Sequence, residues 1–286
     1  MVSRLKDLFW VSRPLSWVNT AYPFAAGYLV AYQKVDWLFI IGTLYFLIPY
    51  NLMMYGINDV FDYESDKRNK RKGGVEGALL DKQRHKLVLT ATALINIPWL
   101  MLLYGLSPSL ESILVLTGVV FGVIAYSAPY LRFKERPFID SATSSLHFVG
   151  PIVYALSFGG FAELSIIIVV SFFLWGLASH AFGAVQDIAA DKAGGIGSVA
   201  TVIGARPTVC FSLLLYAASG LLLLQLEGIA RIASIVPFLY VLNVVPFAFI
   251  TDDKAESANT GWKRFLWLNY LAGFVVTVLL IVIFVL

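Results

Sequence analysis

The sequence is poor in charge and in thiols. Only 14% of its 286 residues are charged, and it contains one cysteine, Cys210, and three histidines. A single cysteine can form neither an internal disulfide nor a cysteine-based metal site. A net charge of +3 gives no indication of binding to nucleic acid. What remains is a chain that is 59% hydrophobic, which is typical of a protein in lipid.

The hydrophobic residues occur in nine runs, each close to the roughly 20 residues that a helix needs to cross a bilayer. The runs cover residues 15–32, 37–57, 87–106, 110–128, 138–158, 164–185, 208–226, 229–250 and 265–286. They lack dyad alternation, and backbone groups in lipid must bond within their own segment, so helices are favoured over a barrel. We predict an all-α membrane protein, one domain over residues 1–286 with nine transmembrane helices.

Positive charge is distributed unevenly over the predicted loops. With the N-terminus in the cytoplasm, all of the 21 Lys and Arg residues except Lys34 and Arg231 fall on the cytoplasmic side. Short cytoplasmic loops retain positive charge, so this asymmetry predicts a cytoplasmic N-terminus and a C-terminus outside. A basic inner face would also attract a phosphorylated substrate.

Acidic residues gather at the cytoplasmic ends of the second and sixth predicted spans. The first motif, NDVFDYESD at residues 58–66, and the second, QDIAADKAGG at residues 186–195, place side chains four residues apart on one helix face. Carboxylate and amide oxygens suit a hard cation such as Mg²⁺, which proteins usually hold together with substrate phosphates. The pattern predicts a magnesium-bridged diphosphate site, although a solvated helix end is the usual reading of a single acidic run.

Three stretches together resemble the UbiA superfamily of intramembrane prenyltransferases. Residues 58–66 fit the family's NDxxDxxxD pattern, and Asp187 to Asp191 fit its second DxxxD pattern. The segment YSAPYLRFK, residues 126–134, is similar to the family's loop after the fourth span. The resemblance covers essentially the whole chain and implies nine helices around a central cavity with the active site facing the cytoplasm.

Within the superfamily, the chain is most similar to the lycopene elongases of C50-carotenoid biosynthesis. The similar stretches are RPLSWVNTAYPF, PYNLMMYGINDVFDYESD, RKGGVEGALL and LRFKERPFID. Many aromatic prenyltransferases have an Arg-Pro pair soon after the first motif, where this chain reads Lys72-Gly73-Gly74. The resemblance implies transfer of a prenyl group from dimethylallyl diphosphate to lycopene or a related acyclic carotenoid, with a carotenoid-pathway partner subunit as a further expectation.

The resemblance also implies roles for individual residues. Two Mg²⁺ ions bridged by the diphosphate would be held by Asn58, Asp62 and Asp66 on one side and by Asp187 and Asp191 on the other, with Asp59 as a further ligand or a supporting residue. The diphosphate itself would be contacted by Arg13, Arg71, Arg132 and Lys134. The faces of Tyr55, Tyr126 and Tyr130 would stabilise the allylic cation.

Alternatives remain open at the level of sequence. The acceptor could be aromatic, such as 4-hydroxybenzoate or a quinone precursor. Intramembrane carboxylates also mark ion-coupled transporters, but these acids lie at helix ends and not near the midplane. A non-catalytic subunit would show a degraded second motif. His147 and His180 are candidate proton acceptors, although histidines bonded between helices are more common.

Overall fold

The structure is a computed structural model that describes residues 2–67, 79–159 and 163–284. Most of the described residues are helical, and their α-helices are α1 Val2–Val11, α2 Val18–Tyr32, α3 Trp37–Leu47, α4 Pro49–Phe61, α5 Tyr63–Asp66, α6 Lys82–Leu106, α7 Leu110–Ser127, α8 Ile139–Leu156, α9 Glu163–Val185, α10 Ile188–Gly194, α11 Val199–Ile203, α12 Ala205–Leu223, α13 Ile235–Val244 and α14 Asn259–Phe284. Short 3₁₀ helices lie between some of them, at Pro14–Ser16, Phe133–Glu135, Gly228–Ser234, Val245–Phe247 and Asp252–Ala258.

Several helices begin at residues whose side chains cap the free backbone N–H groups. Asp36 precedes α3 and accepts hydrogen bonds from the N–H groups of Leu38 and Phe39. Ser109 and Ser198 begin α7 and α11 with reciprocal capping boxes. Each cap satisfies backbone donors that would otherwise lack a partner, and therefore fixes where the helix starts.

The chain divides into two compact units, and the single-domain prediction stays a prediction. Unit 1 comprises Met1–Phe133 and His147–Gly160, and unit 2 comprises Lys134–Leu146 and Phe161–Leu286. In unit 1, α2 packs on α3, and α4 packs on α6 and α7. Its core is aromatic, with buried rings 4.6 to 6.3 Å apart at their centroids. These rings belong to Phe24, Phe46, Tyr50, Tyr154 and Phe158.

The second predicted span is bent inside unit 1. It consists of α3 and α4, which meet at Ile48 and Pro49. The amide nitrogen of Asn51 lies 2.9 Å from Phe46 O and 2.6 Å from Thr20 Oγ1, and that of Asn96 lies 2.9 Å from Pro49 O. Side chains from α2 and α6 thus supply partners at the break, as lipid-embedded backbone requires.

Close packing of α2 against α3 depends on Gly42. A Cβ atom at this position would lie 2.1 Å from Cζ of Phe24, whose ring is fully buried. We expect Gly42→Ala to destabilise the protein by about 1–3 kcal/mol, because the ring cannot move without disturbing its neighbours. Thermal unfolding in detergent would measure the change. Gly118→Ala is the matched control, since nothing lies within 4 Å of its Cβ, and equal unfolding midpoints for both variants would contradict the packing argument.

In unit 2, α12 packs between α9 and α13, and α13 contacts α14. The core holds stacked aromatic rings, with Tyr216 and Tyr240 5.4 Å apart and Trp175 and Phe265 5.7 Å apart. Hydroxyl groups join α9 to α12, since Ser171 Oγ and Ser219 Oγ are 2.8 Å apart. Small polar residues allow close helix approach in membranes and bond across the interface.

Seven helical segments among the described residues are long and apolar enough to cross a membrane. They are Trp37–Phe61, Lys82–Leu106, Leu110–Ser127, Ile166–Val185, Ala205–Leu223, Gly228–Phe247 and Asp252–Phe284. The other two predicted spans also form helices, α2 and α8. However, α2 has only 15 residues, and α8 carries Asp140, His147 and a run of hydroxyl side chains. The predicted count of nine spans is therefore not confirmed.

Candidate active site

The first acidic motif lies where α4 ends and α5 begins in unit 1. Asn58 is in the last turn of α4, Asp62 ends that helix, and the Asp66 N–H donates to Asp62 O at 2.8 Å. The amide of Asn58 lies 2.5 Å from Asp62 Oδ2, so these two side chains share one face as the spacing predicts. Asp62 and Asp66 are buried, at 1% and 8% exposure.

Two residues on or after α7 contact Asp62. Ser127 Oγ lies 3.3 Å from Asp62 Oδ2 and 3.0 Å from the Asn58 amide. The guanidinium of Arg132 lies 3.4 Å from Asp62 Oδ1. A buried carboxylate needs such partners because removing a charge from water is costly. Cation, hydroxyl and amide thus converge on Asp62 within unit 1.

Arg13 and Asp59 form a buried pair beside this cluster. Nη2 of Arg13 lies 2.6 Å from Asp59 Oδ1, and the exposed fractions of the two side chains are 16% and 0%. The guanidinium also lies over the ring of Tyr55, 4.1 Å from its centroid. Arg13 adopts φ of 50°, a left-handed conformation unusual for a residue with a side chain. The Arg13–Asp59 pair therefore orients both residues, and truncating either one would leave a buried charge.

The second acidic motif occupies the start of α10 in unit 2. Asp187 precedes the helix, and the Asp191 N–H donates to Asp187 O at 2.8 Å. Both side chains are partly exposed. Gly195 ends the helix at φ of 68°, and its N–H reaches Asp191 O and Lys192 O, as a glycine C-cap does. The glycine thus ends the motif-bearing helix one turn after Asp191.

The segment after the second motif is tethered by Asp252. Asp252 Oδ2 lies 3.0 Å from Lys192 Nζ, and its Oδ1 accepts the Ala205 N–H at 2.7 Å. This carboxylate therefore joins the end of α10 to the start of α12. The sequence did not predict this role for Asp252. Its only indication in the sequence is the adjacent acidic pair Asp252 and Asp253 between two hydrophobic runs.

The other predicted site residues have varied positions. Lys134 is partly exposed in the 3₁₀ helix Phe133–Glu135, and the Tyr126 ring meets the His147 ring edge-on at 4.9 Å. Tyr130 is 98% exposed, and its role as a pocket residue stays a prediction. Arg71, like Lys72-Gly73-Gly74, lies outside the described residues.

The donor atoms around Asp62 are chemically suited to magnesium. Within the parts of the chain that the structure describes, no group of three or more His, Cys, Asp or Glu side chains could hold a metal ion unaided. The available donors, carboxylate and amide oxygens, are those of hard cations, and Mg²⁺ commonly uses only one or two protein carboxylates with water and phosphate. The Asn58 amide nitrogen points toward Asp62, and rotation about the last side-chain bond would present the amide oxygen to the ion instead.

Comparison with known proteins shows the family to which the chain belongs. The model of the UbiA prenyltransferase family matches residues 20–269, and the chain belongs to that family. It is a prenyltransferase and a multi-pass membrane protein. A Corynebacterium glutamicum protein named lycopene elongase/hydratase is 50% identical over 285 residues, which cover 99% of both chains. The Dietzia protein LbtBC, named for biosynthesis of C(50) β-cyclic carotenoids, is 51% identical over 96% of this chain and 64% of its own length.

Solved structures show the same fold. A UbiA homolog from Archaeoglobus fulgidus, bound to DMAPP and Mg²⁺, matches with a TM-score of 0.65 at 20% identity. The match covers 94% of this chain and 98% of the homolog. The predicted UbiA-type helical fold is thereby confirmed.

Proposed function

We propose that this protein transfers a dimethylallyl group from dimethylallyl diphosphate to lycopene or a related acyclic carotenoid, using two Mg²⁺ ions. The observation that carries the proposal is the cluster around Asp62, where a buried carboxylate meets the partly exposed amide of Asn58 and guanidinium of Arg132 at the end of a membrane helix. Such a group suits a metal-bridged diphosphate, and ionisable residues within a membrane protein commonly mark a functional site.

The ions and the diphosphate would be held by the two acidic motifs together. Asn58, Asp62 and Asp66 would hold one ion, and Asp187 and Asp191 would hold the other. The metal ions would supply positive charge that neutralises the diphosphate as the carbon–oxygen bond breaks.

Cationic side chains would contact the phosphate oxygens. Arg132 lies 3.4 Å from Asp62, and Arg13 is fixed by Asp59 at 2.6 Å, so both carry charge next to the first motif. A planar guanidinium can hold two phosphate oxygens at once. Lys134, in the 3₁₀ helix Phe133–Glu135, and Arg71 would add further positive charge. The ring of Tyr126, which is partly exposed beside Ser127, would face the allylic cation.

The relatives support a carotenoid as the acceptor. The Corynebacterium glutamicum and Dietzia proteins are named for lycopene elongation and for C(50) carotenoid biosynthesis, and each is about half identical to this chain. An acyclic carotenoid dissolves in the bilayer and not in water, so a membrane enzyme can bind it directly from the surrounding lipid. The end of its chain carries an alkene whose electron pair can attack the allylic carbon.

The reaction would take place at the cytoplasmic face. Both motifs adjoin the loops that contain nearly all the Lys and Arg residues, and such loops stay inside the cell. Diphosphate donors are water-soluble, so a site that opens to the cytoplasm suits a soluble donor and a lipid-soluble acceptor.

Membranes containing the full chain, lycopene, dimethylallyl diphosphate and Mg²⁺ test the proposal. We expect a carotenoid heavier by five carbons per addition, detected by mass spectrometry. Chelation of divalent ions should reduce product at least about 100-fold, because the diphosphate would leave without charge neutralisation, and added Mg²⁺ should restore it. A parallel reaction with 4-hydroxybenzoate in place of lycopene tests the aromatic alternative, and product only in that reaction would overturn the proposed acceptor.

A further inference from the structure

A second group of polar side chains lies within unit 2, on α8 and α9. Asp140 and Ser141 begin α8 and are buried, at 0% and 1% exposure. The Ser141 N–H and Oγ lie 2.7 and 3.3 Å from Asp140 Oδ1, and the Val199 N–H donates to Asp140 Oδ2 at 3.1 Å. Ser141 Oγ lies 3.0 Å from Nδ1 of His180, on α9. The result is a chain of contacts from carboxylate through hydroxyl to imidazole.

The order of donors in this chain determines the form of the imidazole. An ionised carboxylate only accepts hydrogen bonds, and a serine hydroxyl has one proton to donate. When Ser141 donates to Asp140, its oxygen accepts from Nδ1–H of His180. The lone pair of the neutral ring is then on Nε2. The hydrogen bond made by one ring nitrogen of a histidine sets its tautomer and orients the ring.

The position of His180 suits chemistry near the diphosphate but not on it. His180 lies in α9, five residues before that helix ends at Val185, and Asp187 follows two residues after the helix end. His180 therefore lies about 8 Å along the helix axis from the end that leads into the second motif. The residue as a whole is partly exposed, whereas Asp140 and Ser141 beside it are buried. One side of the ring is held against Ser141.

From this geometry we propose that His180 is the base that removes the final proton from the prenylated acceptor, and that Ser141 and Asp140 are its positioning residues. The proposal rests on the proposed function. It assigns a residue to the step that decides whether the product ends as an alkene or captures water.

Loss of the final proton follows formation of the new carbon–carbon bond. The electron pair of the acceptor alkene forms a bond to the allylic carbon of the donor, and the bond from that carbon to the diphosphate oxygen breaks. A tertiary cation remains on the acceptor. The electron pair of a neighbouring C–H bond then forms a new carbon–carbon double bond, and the proton passes to Nε2 of His180, giving an imidazolium. That proton later leaves with the diphosphate or to water. If water instead adds to the cation, an alcohol forms and a proton is released.

The experiment compares His180→Gln and Ser141→Ala with the unchanged protein in membranes supplied with lycopene, dimethylallyl diphosphate and Mg²⁺. Two quantities are measured for each: diphosphate released and the ratio of alkene to alcohol product, resolved by mass because the alcohol is heavier by one water. Ser179→Ala is the matched control for Ser141→Ala, since its buried hydroxyl bonds Trp175 O and Tyr216 OH instead.

We expect the ratio of alkene to alcohol to fall at least about tenfold in His180→Gln and by a smaller factor in Ser141→Ala, while diphosphate is still released. Ser141→Thr, which keeps the hydroxyl, should restore the ratio, and Ser179→Ala should leave it unchanged. If His180→Gln does not accumulate, the Ser141 variants give the result. If the variants are active and their ratio of alkene to alcohol is unchanged, the role assigned to His180 is overturned, while the proposed prenyl transfer is not affected. Absence of any elongated carotenoid from the unchanged protein would overturn the proposed function and the inference with it.

Discussion

Replacing Asp62 by alanine is expected to lower kcat/KM for prenyl transfer by at least about 1,000-fold. Asp62 is the residue on which Asn58, Ser127 and Arg132 converge, at 2.5 to 3.4 Å. Its loss would remove a metal ligand and leave Arg132 without its carboxylate, so charge neutralisation of the leaving diphosphate would fail. Initial rates of diphosphate release from purified protein in lipid vesicles would measure the effect.

The matched control for this change is Glu64→Ala. Glu64 lies two residues after Asp62, but its side chain is 67% exposed and it pairs with Lys82 at the surface. Exposed ion pairs contribute little, so the control should retain most of the activity. If the Asp62→Ala protein folds in membranes and is as active as the Glu64→Ala protein, Asp62 is not a ligand of the metal ion.

Asp187→Ala is expected to reduce prenyl transfer to a similar extent. Asp187 begins α10 in unit 2 and shares a helix end with Asp191, so it would hold the second ion on the diphosphate. The double variant with Asp62→Ala should be little worse than either single variant, because residues that act as one set are strongly non-additive. The same rate assay applies, combined with titration of Mg²⁺.

Asp253→Ala provides the corresponding control in unit 2. Asp253 is an exposed acidic residue in the 3₁₀ helix Asp252–Ala258, next to the residue that tethers Lys192. It should leave activity nearly unchanged. If the fold reductions in rate caused by Asp62→Ala and Asp187→Ala multiply in the double variant, the two residues act independently. That result would contradict the proposal that both motifs act on one diphosphate.

Much of the helical fold was predictable because hydropathy reports directly on burial in lipid. The predicted runs 110–128 and 164–185 agree closely with α7 and α9. The bend between α3 and α4 was not predicted, because its cause lies in contacts between distant residues. Pro49 alone does not specify it. The amide of Asn96, 47 residues along the chain, completes the break.

The site was predictable where its residues follow one helix face. Asn58 and Asp62 are four residues apart, and the structure places their side chains 2.5 Å apart. Ser127 was missed, since a serine at the end of an apolar helix is unremarkable until the fold places it beside Asp62. The pairing of Arg13 with Asp59 was also missed. Arg13 was predicted to contact phosphate, but its immediate partner 46 residues away depends on tertiary structure.

The bend in the second span has a consequence for how the protein is made. An insertion machinery that responds to hydropathy meets Trp37–Phe61 as one segment of 25 residues. The groups that stabilise the bend from outside, Thr20 of α2 and Asn96 of α6, are present only after helices associate. The segment can therefore enter the bilayer straight and bend during assembly. In that case α4, which carries Asn58, acquires its final direction late in biogenesis, when its neighbours have docked.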